Sequence, residues 1–258
     1  MKIFFDTHVH LYPGFHFSSS IRRACGQLKE FNSEIELAVF CLTEVGELDY
    51  FQELSSGQVS GMPPLLHSSD GSVLIFDETF GLPFCVLAGR QYNTVEGLEV
   101  LGLGIRTKII KLGLGNAVDA ISSSGGLPVV PWGLGKWTFS RRRTLQGFIA
   151  NSPSKFALAD SANRPQIWSE DYLFAAIKTR GLPILAGSDP LPLVEQDRFI
   201  GTFGTLIDTD LDLKSPFNSI LKALWCPGRT IGNRKSLGQV LKDNAMLYGG
   251  INKLGYNH

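Results

Sequence analysis

The residues best suited to chemistry stand near the start of the chain, in Phe5-Asp6-Thr7-His8-Val9-His10. An apolar run leads into them, and residues 3–9 read as a strand. Side chains alternate along a strand, so Asp6, His8 and His10 are expected on one face. Two imidazoles two residues apart can chelate a single transition-metal ion. A lone histidine there would be an ordinary polar strand end, but a His-x-His pair closing an apolar strand favours a metal. A second stretch, Gly181-Leu182-Pro183-Ile184-Leu185-Ala186-Gly187-Ser188-Asp189-Pro190, is again an apolar strand that ends in a carboxylate. Asp189 could complete a metal site or act as the base that activates a metal-bound water. Taken alone it would be an Asp capping the turn before Pro190.

Polar residues close the other apolar runs as well. Thr43-Glu44, Arg90-Gln91, Pro131-Trp132 and Asp160-Ser161 each follow one. Glu44 and Asp160 are candidates for a further ligand or for an outer partner that orients the histidines, and Asp6 for that outer role. Lys136 and Arg141-Arg142-Arg143 form a basic cluster at the start of a helix expected over residues 140–150, with Ser140 as its N-cap. Arginines in a first turn oppose the helix dipole, and a bound phosphate would suit both. A solvated charged run accounts for them equally well. Arg90, Gln91, Lys136, Arg141 and Arg142 are therefore the candidates for holding an anionic substrate. Trp132 and Trp137 flank the loop and could wall a pocket, although such tryptophans more often belong to a core. His16, His67 and His258 lack a strand-end setting and read as surface groups.

The elements that must position these residues alternate in type. Strands are expected at 3–9, 35–43, 127–130, 156–159 and 182–186, and helices at 21–31, 116–123, 140–150, 169–179, 215–224 and 236–247. Ser18-Ser19-Ser20 would cap the first helix. A Gly- and Ser-rich loop is expected around residues 55–70. Three short apolar runs, at 73–76, 84–88 and 98–103, read as a small antiparallel meander. Repeated strand–helix units imply parallel strands with right-handed crossovers. An open sheet usually has a Gly-rich phosphate loop after its first strand, and here that strand ends in histidines. The expected fold is α/β: a distorted (β/α)7 TIM-like barrel, one domain over residues 1–258, with the meander as an insertion. Barrel active sites lie at the C-terminal strand ends, where His8, His10 and Asp189 all stand.

Composition narrows the function classes. The 258 residues carry 24 basic and 24 acidic side chains, so there is no bulk charge to hold a nucleic acid. With 43% hydrophobic and 19% charged residues the chain is not disordered. No run reaches the ~18 continuous apolar residues of a membrane span, and the N-terminus shows no signal-peptide pattern. Cys25, Cys41, Cys85 and Cys226 are scattered without a CxxC pair. They read as reduced thiols, so a cytoplasmic location is expected.

The chain resembles the polymerase and histidinol phosphatase (PHP) family of metal-dependent hydrolases over most of its length. The resemblance begins at Asp6-Thr7-His8-Val9-His10 and continues at Gly89-Arg90-Gln91 with residues 96–104. It then runs through Gly125-Gly126-Leu127-Pro128-Val129-Val130 to Gly187-Ser188-Asp189. It implies a distorted (β/α)7 barrel with up to three metals at its mouth and hydrolysis of phosphate esters. His8, His10 and Asp189 match the family pattern and Glu44 is a possible substitute. Gln91 stands where the family has a glutamate, and Trp132 and Leu191 where it has histidines. Gln91 is neutral and Trp132 cannot bind a metal, so one metal, or none, is expected rather than three. The first and last motifs also resemble those of the amidohydrolase superfamily, whose middle-strand histidines this chain lacks.

The expectation is therefore a phosphoesterase using one divalent ion, zinc, manganese or iron, to activate water. The ligands would be His8, His10, Asp189 and Glu44. The partner would be a small, phosphorylated substrate; no membrane is expected, no strong signal points to a nucleic acid, and oligomeric state is not legible. Two alternatives remain: a degenerate barrel that binds a ligand or partner without catalysis, and an amidohydrolase-like enzyme acting on C–N bonds or lactones.

Overall fold

The computed structural model describes residues 1–69, 72–108, 111–212 and 215–249. In chain order the elements are β1 (Lys2–Val9), α1 (Phe17–Phe31), β2 (Ile35–Leu42), α2 (Tyr50–Ser55), β3 (Leu65–Ser69), β4 (Val73–Phe76), β5 (Phe84–Leu87), β6 (Gly89–Asn93) and β7 (Glu99–Leu103). There follow α3 (Leu114–Ser123), β8 (Leu127–Pro131), α4 (Phe139–Asn151), β9 (Ala157–Ser161), α5 (Tyr172–Thr179) and β10 (Ile184–Gly187). Then come β11 (Phe203–Asp208), α6 (Pro216–Ala223), β12 (Arg229–Gly232) and α7 (Leu237–Gly249).

These strands form two mixed sheets, one of seven strands in the order β12-β11-β1-β2-β5-β4-β3 and one of five in the order β10-β9-β8-β7-β6. Neither closes into a barrel, which corrects the expectation of a (β/α)7 barrel. Hydrogen-bond partners explain why. β2 pairs parallel with one edge of β1, and β11 pairs antiparallel with the other, Lys2 opposite Asp208 through Phe5 opposite Thr205. The first half of β1 thus has no edge left for β10. The parallel units are real but split, β1-β2-β5 in one sheet and β8-β9-β10 in the other. The expected meander is split too. β4 and β5 form an antiparallel pair, with β3 beyond them where a loop was expected, whereas β7 pairs with β6 and β8 in the other sheet. The chain changes sheets at Ala88-Gly89.

The apolar pattern sets the layers. α1 buries Phe17, Ser20, Ile21, Ala24, Cys25 and Leu28, a stripe of three- and four-residue steps, against the face of the seven-stranded sheet that carries Phe4, Phe40 and Phe84. α3, α4 and α5 cover the outer face of the five-stranded sheet. Between the sheets, Ile3, Phe5 and Val39 share a core with Leu101, Val129 and Leu185. Two expected N-caps are not the ones used. His16, not the serine run, precedes α1, and Thr138, not Ser140, is the N-cap of α4.

The sheets touch at two seams. At one, Thr7 Oγ1 donates to Ala186 O at 2.9 Å and Asp189 N–H donates to His8 O at 2.8 Å. At the other, Glu44 N–H donates to Gly89 O at 3.1 Å and Gln91 N–H to Glu44 O at 3.0 Å. Glycine is required at both. A Cβ on Gly187 would stand 2.5 Å from His8 N, and one on Gly89 would stand 2.4 Å from Leu42 O.

Candidate metal centre at the junction of the sheets

β1 does not alternate evenly to its end. Its ladder with β2 is irregular between Asp6 and Val9. Phe4 and Val9, five residues apart, consequently pack in the same cluster beneath α1. The irregularity separates Asp6 from the histidines, contrary to the expectation that all three share one face. Asp6 is fully buried and accepts backbone N–H groups instead, from Ser188 at 2.8 Å, Gly201 at 2.9 Å and His8 at 3.3 Å. Burial raises its pKa to about 6, against the opposing pull of these hydrogen bonds. Its role is to tie the end of β1 to the end of β10, and so to set the backbone of His8 and of the residue before Asp189.

Across the seam, His8, His10 and Asp189 bring ligand atoms within 4.8 Å of one another. The two histidine Nε2 atoms are 2.9 Å apart. Asp189 Oδ1 lies 3.6 Å from His8 Nε2 and 3.8 Å from His10 Nε2. Gln91 Oε1, from β6, is 3.2 Å from His8 Nε2. A neutral imidazole has one N–H, so two facing nitrogens, a carboxylate and an amide oxygen offer more lone pairs than protons. A shared cation satisfies them together, and two nitrogens about 2.0–2.1 Å from one ion would themselves be about 3 Å apart. The set of two imidazoles and a carboxylate accepts zinc, manganese or iron. The residues therefore fit a single divalent ion.

The surroundings fix Asp189 more firmly than His8. Asp189 adopts a left-handed backbone, φ 50°, which is uncommon for a residue with a side chain. Ser161 Oγ donates to its Oδ2 at 2.8 Å, and Asn163 Nδ2 to its carbonyl at 2.6 Å. Burial pushes the carboxyl up, but the His8 and His10 rings and the Ser161 hydroxyl outweigh it and hold it below the usual carboxylate range. His10 Nδ1 lies 3.4 Å from Thr43 Oγ1. His8 Nδ1 is buried and has no hydrogen-bond partner among the described residues. His8 is thus held through its backbone and by packing, not by an acceptor on its second ring nitrogen.

The other expected site residues lie elsewhere. Glu44 is outside this convergent group. Its Oε1 accepts Phe51 N–H at 3.0 Å, and burial raises its pKa to about 7. Asp160 makes a bidentate pair with Arg164, at 2.7 and 2.6 Å. Arg90 is buried and donates to the carbonyls of Arg106, Gly46 and Leu48. Lys136 pairs with Glu99 at 3.0 Å, Arg141 donates to Gly135 O at 2.9 Å, and Arg142 grips Asp171 with two 2.8 Å bonds. His16 precedes α1 and His67 lies in edge strand β3, while His258 is outside the described residues. Ser161, which the sequence reading passed over in favour of its neighbour Asp160, is the residue that reaches Asp189. Strand alternation sends adjacent residues to opposite sides, and the sequence does not give the phase.

No protein-family model matches the chain, and no curated protein does. Solved structures do. PsfC from Pseudomonas syringae PB-5123 aligns at TM-score 0.57 and 15% identity, over 96% of this chain and 98% of that one. The lesion-specific endonuclease PfuEndoQ from Pyrococcus furiosus aligns at TM-score 0.54 and 12% identity, over 89% of this chain and 57% of that one. The chain shares their fold. At these identities the likeness establishes the fold alone. The four cysteines are free, with Cys25, Cys41 and Cys85 buried. No helix among the described residues is long and apolar enough to cross a membrane.

Proposed function

We propose that the chain is a PHP-type metal-dependent hydrolase acting on a phosphate ester through one divalent ion. The observation that carries this is the convergence of His8 Nε2, His10 Nε2 and Asp189 Oδ1, with Gln91 Oε1 beside them. Bound there, a divalent ion supplies Lewis acidity and acidifies a coordinated water to a pKa of about 7. The histidines would hold it through Nε2. Asp189, its carboxyl held below the usual range, would complete the site and take a proton. Ser161 keeps its carboxylate turned toward the histidines. Gln91 orients a polar group at the same point without adding charge. The basic residues expected to grip a phosphate, Arg90, Lys136, Arg141 and Arg142, are engaged with protein partners. A fold shared with an endonuclease brings nucleic-acid phosphodiesters into the substrate range beside small phosphate monoesters. The absence of bulk positive charge favours a short substrate.

The test is phosphate or alcohol release from monoesters, diesters and short oligonucleotides with added zinc, manganese or iron. Turnover that disappears in His8→Ala and His10→Ala supports the reading. No turnover with any of the three ions contradicts it. Release from amides or lactones alone would favour the amidohydrolase alternative. A specific observation favours a non-catalytic reading: Gln91 and the buried Trp132 stand where the PHP resemblance implies ligands. On that reading both histidine variants retain full ligand binding.

A further inference from the structure

At the C-terminal ends of the parallel strands of the five-stranded sheet, among the loops leading to α4 and α5, lies a cavity of about 640 Å³ walled by Trp132, Trp137, Trp168 and Tyr172. Trp132 follows β8, which pairs with β9, which pairs with β10, the strand leading to Asp189. None of His8, His10 or Asp189 lines the cavity. Trp132 and Trp137 are buried, whereas Trp168 and Tyr172 are 42% and 47% exposed. The rings of Trp132 and Trp168 meet nearly at right angles, 77°, with centroids 5.9 Å apart. The exposed indole of Trp168 gives a flat ring a face to stack on, with the buried Trp132 beneath it.

The charges around the cavity are neutralised within the protein. Arg142 pairs with Asp171, Arg164 with Asp160 and Glu170 with Lys178. Such a lining has no free charge to offer an anion, but it has π faces and a polar rim. We infer that it takes an uncharged aromatic or heteroaromatic ring, a binding site that stands on the cavity itself.

Three of the four tryptophans line the cavity, and Trp225 packs in the core between the sheets, so intrinsic fluorescence reports occupancy. The full-length protein, treated with EDTA, is titrated with adenosine 5′-monophosphate, phenyl phosphate and glycerol 3-phosphate. Saturable quenching by either ring compound and none by glycerol 3-phosphate is expected. Quenching by both assigns any aryl ring, and quenching by the nucleotide alone assigns a nucleobase. Trp168→Ala should weaken binding about tenfold or more. Ile167, 69% exposed on the rim, gives a second variant that does not threaten folding: Ile167→Glu adds an unpaired charge there and should weaken binding likewise. No saturable quenching by either ring, or affinity unchanged in both variants, overturns the inference. If metal is bound stoichiometrically in that case, the hydrolase reading survives. A protein that binds the ring but retains no metal and releases no phosphate sinks the hydrolase reading alone.

Discussion

At the junction of the sheets, His8 and His10 come from one sheet and Asp189 and Gln91 from the other, and their polar atoms face a common point. A few strands away, around the start of α4, the side chains are more strongly charged, yet three of the four are engaged by a neighbour: Arg142 by Asp171, Arg141 by Gly135 O, Lys136 by Glu99. In sequence the arginine run is the louder anion-binding signal. In the fold Arg142 and Lys136 are structural, because their counter-charges arrive from distant segments. The difference teaches that donor atoms converging on one point mark a ligand site, whereas a cluster of charges marks one only when its partners are missing.

The comparison breaks most readily at the seam that builds the metal centre. Gly187→Ala drives a Cβ into the backbone of His8, 2.5 Å from its nitrogen, where the neighbour is main chain and cannot rotate away. A loss of at least about 3 kcal/mol is expected by chemical denaturation. A variant that folds with wild-type stability would show that β1 and β10 are not held this closely.

A titratable group sits at the other seam. Glu44 has its pKa raised to about 7, chiefly by burial, from an ordinary value of 4.5. The folded protein thus holds this proton more tightly than the unfolded chain. Its contribution to stability is complete below pH 4.5 and is lost as the pH rises toward 7. Glu44→Gln keeps an acceptor for Phe51 N–H and removes the titration. It should be stabilising by about 2–3 kcal/mol at pH 8 and nearly neutral at pH 4. Equal stability differences at both values would contradict the burial argument.

The smallest effect sharpens the comparison from the side of the basic cluster. Lys136→Gln breaks a partly exposed pair with Glu99 and should lower stability by about 1 kcal/mol. The KM for a phosphate ester should stay within about twofold, because Lys136 is committed to Glu99. A tenfold rise in KM would return the basic cluster to the substrate site.

Some of this was legible in the sequence. The apolar runs of β1, β2, β8 and β10 are long enough to declare themselves, and the histidines and Asp189 at their ends are the residues the fold brings together. β11 and β12 were not legible. β11 reads Phe-Gly-Thr-Leu-Ile-Asp and β12 is four largely exposed residues. Their pairing with β1 and with each other joins segments about 200 and about 27 residues apart, and that pairing decides between a closed barrel and two sheets. The irregularity between Asp6 and Val9 is likewise invisible in composition, yet it separates Asp6 from the metal ligands. Asp171 stands 29 residues beyond Arg142, so no local pattern announces the pair.

The central claim is that His8, His10 and Asp189 hold one divalent ion. Elemental analysis after reconstitution and desalting, without a metal-chelating tag, tests it most directly, comparing wild type with His8→Ala/His10→Ala. Close to one ion per chain in the wild type and none in the double variant is the predicted result. Equal metal content in both, or none in either, would contradict the account.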